Sequence, residues 1–315
     1  MRIRILLMLC LALMTGLCIS GGVSEEETEL AANYRTLSDL HCTIGIHTPD
    51  PDTFRLFPER PGLYGWFEVW FGEMETEKLR ECGQNQLAIP MITWEPLGIS
   101  MQAIAAGEFD TYLMDYFETI RAFCPDNDVL IRFAHEMENR PQYQFIWYDW
   151  QGLEPAVYIR AWRHVVSLGR TICPNIKWVW SPNHADPYAE PYYPGDEYVD
   201  YVGVTLNLTV KEYYDVHYED AGDYYRRAGI RDSHKAYGKP QILSEFAYAN
   251  DDLSARKAYF RSLLPLIEEN PQLKAVVFFD FDNTNTRDFC FSDEPELTQI
   301  FQEIIREVHN GEKES

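Results

Sequence analysis

Short apolar runs alternate with amphipathic stretches from about residue 42 to the end of the chain. The runs are β-branched or aromatic and are bounded by Gly, Pro, Asn or Asp. They predict buried strands at about 42–47, 65–71, 87–93, 129–134, 176–181, 199–205, 240–245 and 274–280. Between them, apolar residues recur at helical spacing. Residues 110–123 gather Tyr112, Leu113, Tyr116, Phe117, Ile120 and Phe123 on one face, with Asp110 as candidate N-cap. Residues 155–172 gather Tyr158, Ala161, Trp162, Val165, Leu168 and Ile172, with Pro155 suited to the first turn. Two further helices are predicted over 254–268, capped by Ser254, and over 295–308. Strand–helix alternation predicts an α/β fold with a parallel sheet. Eight such units in about 290 residues predict a closed (β/α)8 barrel rather than an open sheet. No repeat, linker or low-complexity segment divides the chain, so one domain over 34–310 is expected after a flexible acidic lead-in at 21–33.

The N-terminus changes the picture of where the chain works. Arg2 and Arg4, then the apolar stretch Ile5 to Met14, then Cys18-Ile19-Ser20 read as a secretory signal over about 1–20. The run is too short and interrupted for a stable membrane span, and Leu17 makes Cys18 a poor lipoprotein site. A secreted or periplasmic protein is expected. Loss of Arg2 and Arg4 takes the formal charge from −23 to about −25, which argues against nucleic acid as a partner. Five cysteines remain after the signal: Cys42, Cys82, Cys124, Cys173 and Cys290. They show no CxxC or zinc spacing. A Cys124–Cys173 bridge is one reading in an oxidising compartment and buried thiols are the other. The absence of GxGxxG and GxxxxGK[ST] leaves nucleotide binding unsupported.

Two glutamates then stand out. Glu136 ends the fourth predicted strand and Glu245 the seventh. In a barrel these ends face the C-terminal mouth, where active sites are built. Paired carboxylates there suit cleavage of a glycosidic bond, with ~5–5.5 Å between them in retaining enzymes. Glu136 is then the general acid and base, its pKa expected to be raised, and Glu245 the ionised nucleophile. Arg132 is placed to hold the Glu245 charge, and His135 to orient a carboxylate or bind a sugar hydroxyl. Trp94, Trp147, Trp150, Trp180 and Tyr248, at or past strand ends, are candidate sugar platforms, while Trp162 and Trp178 read as core.

Several motifs in order strengthen this reading. Arg132-Phe-Ala-His135-Glu136-Met137, Trp147-Tyr148-Asp149-Trp150, Trp178-Val-Trp180-Ser181-Pro182-Asn183, the run from Tyr193 to Gly203, and Pro90 to Pro96 resemble glycoside hydrolase family 26, best known for β-mannanases. The resemblance implies a (β/α)8 barrel with the acid/base on strand four, carried over to Glu136, and the nucleophile on strand seven, carried over to Glu245. The chain also departs from the family. Glu138 stands where Asn is usual, the stretch from Glu138 to Ile146 looks longer, and Thr205-Leu206-Asn207 replaces D-x-Y. Asn207 must then supply the hydrogen bond that the Tyr gives the nucleophile.

The expected function is a retaining endo-β-glycanase acting as a monomer on a poly- or oligosaccharide, with β-1,4-mannan first. Xylan, β-glucan or an exopolysaccharide are alternatives. A non-catalytic polysaccharide-binding barrel of an export system is the alternative from another class. No cofactor or metal is implied. Asp280 to Asp288 looks superficially like a calcium loop, but its sixth position lacks Gly and its twelfth is Phe291. Asn207-Leu208-Thr209 is formally a glycosylation sequon.

Overall fold

The computed structural model describes residues 36–83, 88–138, 146–184, 187–209, 220–227, 236–283 and 287–314. The expected signal and lead-in, and most of the stretch from Glu138 to Ile146, lie outside the described residues. Among the described residues, no helix is long and apolar enough to cross a membrane.

Eight parallel strands close into a barrel in sequence order: β1 (Thr43–His47), β2 (Leu63–Val69), β3 (Ile89–Glu95), β4 (Val129–Phe133), β5 (Ile176–Trp180), β6 (Tyr201–Thr209), β7 (Gln241–Ala249) and β8 (Leu273–Phe279). β1 closes on β8 with Thr43 opposite Ala275 and His47 opposite Phe279. A short antiparallel pair, β9 (Asp282–Asn283) and β10 (Arg287–Asp288), follows β8. The helices are α1 (Pro51–Leu56), α2 (Thr76–Gly83), α3 (Met101–Ala105), α4 (Asp110–Phe123), α5 (Pro155–Ile172), α6 (Ala221–Arg227), α7 (Leu253–Arg261), α8 (Leu263–Glu269) and α9 (Pro295–Glu314). All eight predicted strands form, and α4 and α5 have the predicted bounds.

The other helices depart from the sequence reading for local reasons. The segment expected as one helix over 254–268 is α7 and α8, broken at Ser262. Pro265 has no N–H to offer and its ring crowds the carbonyl four residues back, that of Arg261. The cap of α7 is Asp252, whose carboxylate accepts from the Ser254 and Ala255 N–H groups, rather than Ser254. Asp110 is the first residue of α4 instead of its cap, and accepts from His164 Nε2 at 2.6 Å.

Alternation along the strands sorts side chains into two compartments. Leu63, Ile89, Met91, Leu130, Val179, Tyr201, Ile242, Ala275 and Val277 fill the barrel interior, and Leu37 and Leu40 join them from below. Trp66, Ile92, Trp94, Ile131, Phe133, Trp178, Trp180 and Leu243 point outward and pack with the helices. None of the five described cysteines is in a disulfide. Cys124 Sγ donates to the Leu79 carbonyl and Cys173 Sγ to Asn175 Oδ1, so the buried-thiol reading holds. Burial pushes the Cys124 thiol up to about 12, with Cys173 adding to it.

Candidate active site

The mouth is assembled by inward-pointing residues just above the apolar plug. Arg132 follows Leu130 at inward parity on β4 and is wholly buried. All three of its guanidinium nitrogens donate: Nε to Ser181 Oγ at 2.8 Å, Nη1 to Glu245 Oε1 at 2.5 Å, and Nη2 to Thr205 Oγ1 at 3.2 Å. Nη2 also lies 3.7 Å from Glu136 Oε1. One buried cation thus touches both candidate catalytic carboxylates.

Strict alternation would turn Glu245 outward. Ile242 is inside and Leu243 outside, so Ser244 comes in and Glu245 would go out. The register corrects this: Leu243 pairs with Val204, but Glu245 pairs with Thr205, leaving Ser244 as an extra residue on β7. This bulge points both Ser244 and Glu245 at the axis and returns Phe246 to the outer core. Gly203 opposite makes it feasible, because a Cβ there would lie 2.4 Å from Ser244 Oγ.

Glu136 reaches the mouth by a different device. Ala134 and Glu136 adopt positive φ of 42° and 52°, uncommon for residues with a Cβ. The turn is clamped on all sides. Ala134 N donates to the Trp94 carbonyl, and Glu136 N to the Ser181 carbonyl at 2.8 Å. Tyr158 Oη donates to the Ala134 carbonyl, Trp150 Nε1 to that of His135 and Gln151 Nε2 to that of Glu136. Such over-determination holds strained backbone at functional sites.

The two carboxylates differ in surroundings. Glu245 is buried, and its Oε2 accepts from Asn207 Nδ2 at 2.8 Å, the bond expected of Asn207. That commitment also argues against Asn207 as a glycosylation acceptor. Burial pushes the Glu245 carboxyl up, the Arg132 guanidinium pulls it back, and the Glu136 charge pushes it up again. Its ionised form therefore depends on Arg132. Glu136 is half-buried and accepts from Thr205 Oγ1 at 2.7 Å. His135 is buried, its Nε2 3.1 Å from Tyr148 Oη, and burial holds its imidazole neutral.

Glu138, one of the departures, is not part of this chemistry. It is buried, and its carboxylate accepts from Asn183 N at 3.2 Å and His184 N at 3.0 Å, tying the loop after β5 to the segment after β4.

The structure divides the expected sugar platforms. Trp94 and Trp180 are fully buried in the outer core, which corrects the reading of them as platforms. Parity is the reason: each lies between two inward residues, Trp94 between Thr93 and Glu95, Trp180 between Val179 and Ser181. Trp150 is also buried, stacked on Tyr148 at 4.6 Å. Tyr248 leans outward on Tyr259 at 5.0 Å. Trp147 is 66% exposed and free to meet a ligand.

The same parity exposes residues that sequence reasoning missed. Glu95 and Thr205 join the polar side of the mouth. On the other side, Phe67, Phe279 and Phe281 form an aromatic wall around His47, whose buried ring is 4.4 Å from Phe67. Among the described residues, His135, Glu136 and Glu245 are one set whose possible metal-ligating atoms lie within 4.8 Å of one another. The Arg132 guanidinium already occupies the electrostatic place a cation would take there. In the loop after β8, Asp280 Oδ1 accepts from Phe291 N and Ser292 N, a turn-holding role.

Comparison with known proteins adds three findings. Residues 124–253 match the model of Glycosyl hydrolase family 26. Endoglucanase H of Acetivibrio thermocellus is 26% identical over 291 residues, covering 87% of this chain and 31% of that protein. The chain thus spans about a third of that relative's length. Among solved structures, a family 26 β-mannanase from Bacteroides ovatus has a TM-score of 0.61 at 16% identity, covering 89% of this chain and 93% of that one. A modular endo-β-1,4-mannanase from Cellulomonas fimi has a TM-score of 0.60 at 15% identity, covering 88% and 73%. At these identities the structures show a shared fold.

Proposed function

We propose that this chain, whose residues 124–253 match the model of Glycosyl hydrolase family 26, is a secreted retaining endo-β-glycanase. The observation that carries the reading is the pair Glu136 and Glu245, with carboxylate oxygens within 4.8 Å of each other and Arg132 bridging them. A gap of this order suits a covalent intermediate rather than an intervening water.

In the first step Glu245 attacks the anomeric carbon as the glycosidic C–O bond breaks. The Glu136 proton passes to the departing oxygen, and an ester bond to Glu245 remains. In the second step Glu136, now a carboxylate, takes a proton from water. The water oxygen bonds to the anomeric carbon, and Glu245 leaves as a carboxylate. The nucleophile needs its charge held without being quenched, a role for which Arg132 and Asn207 are suited.

β-1,4-Mannan is the leading substrate, supported by the mannanase neighbours in fold. β-Glucan is the second reading, favoured by the endoglucanase relative. The reading of secretion rests on the signal-like residues 1–20.

The test is a product screen of the purified protein on mannan, xylan and mixed-linkage glucan, with NMR of the first product's anomer. Retention is expected, and inversion refutes the mechanism. Glu245→Ala should abolish turnover and, with azide, yield a glycosyl azide. Glu136→Gln should lose least on substrates with activated leaving groups.

A further inference from the structure

Glu95 ends β3 at inward parity, two residues beyond Thr93, which pairs with Arg132 on β4. Its neighbour on β2 is Val69, and the nearby β2 acid Glu68 points outward to Trp66 and Tyr116. Glu95 thus faces the mouth together with Arg132 and Glu136 from β4 and its turn, Glu245 from β7, and Tyr148. It is a third carboxyl in the same pocket, only 8% exposed.

Among the described residues, the pocket holds one guanidinium for three carboxyls, and each of its three nitrogens already donates elsewhere. Its hydrogen bonds go to Ser181, Glu245 and Thr205, and its remaining close approach is to Glu136. The Glu95 carboxyl forms no hydrogen bond among the described residues. A buried carboxylate without donors is costly, so the group takes a proton instead. Burial, against the pull of Arg132 and with the push of Glu245 and Glu136, raises it to about 7. Protonated, a carboxyl offers one O–H donor and one carbonyl acceptor side by side, the pattern that vicinal sugar hydroxyls complement.

We propose that Glu95 is a further substrate-contacting residue of the cleft, whose neutral carboxyl exchanges hydrogen bonds with hydroxyls of the sugar bound beside Glu136 and Glu245. The assignment rests on the glycan reading of the cleft. It makes Gln an adequate replacement and ionised Glu a poor one.

The experiment uses calorimetric binding of mannohexaose, with xylohexaose and cellohexaose in parallel, between pH 5.5 and 8.5. Glu136→Gln serves as the non-turnover parent, so that the acid's own titration is removed. The parent should weaken about tenfold across the range, as a donor is lost. Adding Glu95→Gln should remove most of that slope and keep the tight low-pH Kd. Adding Glu95→Ala should bind weakly at every pH. An unchanged slope in the Glu95→Gln protein, or full affinity in the Glu95→Ala protein, overturns the assignment while leaving the glycan cleft standing. No binding by the parent to any of the three at any pH overturns the glycan reading and this assignment with it. Should the Ala protein not fold, the Gln comparison decides alone.

Discussion

Arg132 is the sharpest point at which to test the electrostatics of the mouth. Its side chain is 0% exposed, that of Glu245 is 8% exposed, and the two meet at 2.5 Å. At an effective dielectric near 20, unit charges about 4 Å apart attract by about 4 kcal/mol. Arg132→Met strands the Glu245 carboxylate without its cation, which for a buried pair costs about 3–5 kcal/mol. Glu245→Gln strands the cation and should cost a comparable amount. The double variant removes both charges, so its loss should fall short of the summed single losses by about 3 kcal/mol. The Ser181 and Thr205 hydroxyls lose a partner equally in both Arg132 variants and cancel from the cycle. Urea unfolding at pH 7, followed by tryptophan fluorescence, measures all four proteins. The Arg132→Met loss should shrink toward pH 5, where the stranded carboxyl takes up a proton. Losses that add to within about 0.5 kcal/mol would refute the coupling.

Three further outcomes follow from burial and space. Trp180→Ala should cost about 3–5 kcal/mol of stability as a core cavity, whereas Trp147→Ala should leave the Tm unchanged and raise KM on polysaccharide, read by melting and kinetics. Gly203→Ala should lower stability by about 1–3 kcal/mol and kcat with it, since its Cβ would crowd Ser244 and disturb the bulge carrying Glu245. Glu95, held near 7 in the fold against 4.5 ordinarily, keeps a proton that the unfolded chain has released. Stability should therefore fall as pH rises from about 4.5 to 7, by on the order of 3 kcal/mol at most. Glu95→Gln should flatten that dependence in unfolding curves.

The barrel was legible because parallel strands buried on both faces leave apolar runs that few other elements mimic. The proposed pair, Glu136 and Glu245, stood out through its motifs, and the structure brings the two carboxylates together at the mouth. Glu245's orientation was not, since the bulge at Ser244 is a register event that no single strand announces. Trp94 and Trp180 were misread because nearness to a strand end says how high a side chain sits, and only parity says which way it points. That rule, applied to Thr93-Trp94-Glu95, would have exchanged the tryptophan for the glutamate. Thr205 and Asn207 were visible as departures from the family, but their bonds to Glu136 and Glu245 required three dimensions.

The clamps around the β4 turn have a bearing on how this protein can be altered. Glu138 is anchored to Asn183 and His184, while Gly152 N donates to the Met137 carbonyl at 2.9 Å and Gln151 holds the Glu136 carbonyl. Residues 138 and 151–152, on either side of this stretch, are therefore fastened close to Glu136. Insertions or deletions in 139–145 should be mechanically insulated from Glu136. Sequence changes there should leave the carboxyl proposed as proton donor in place.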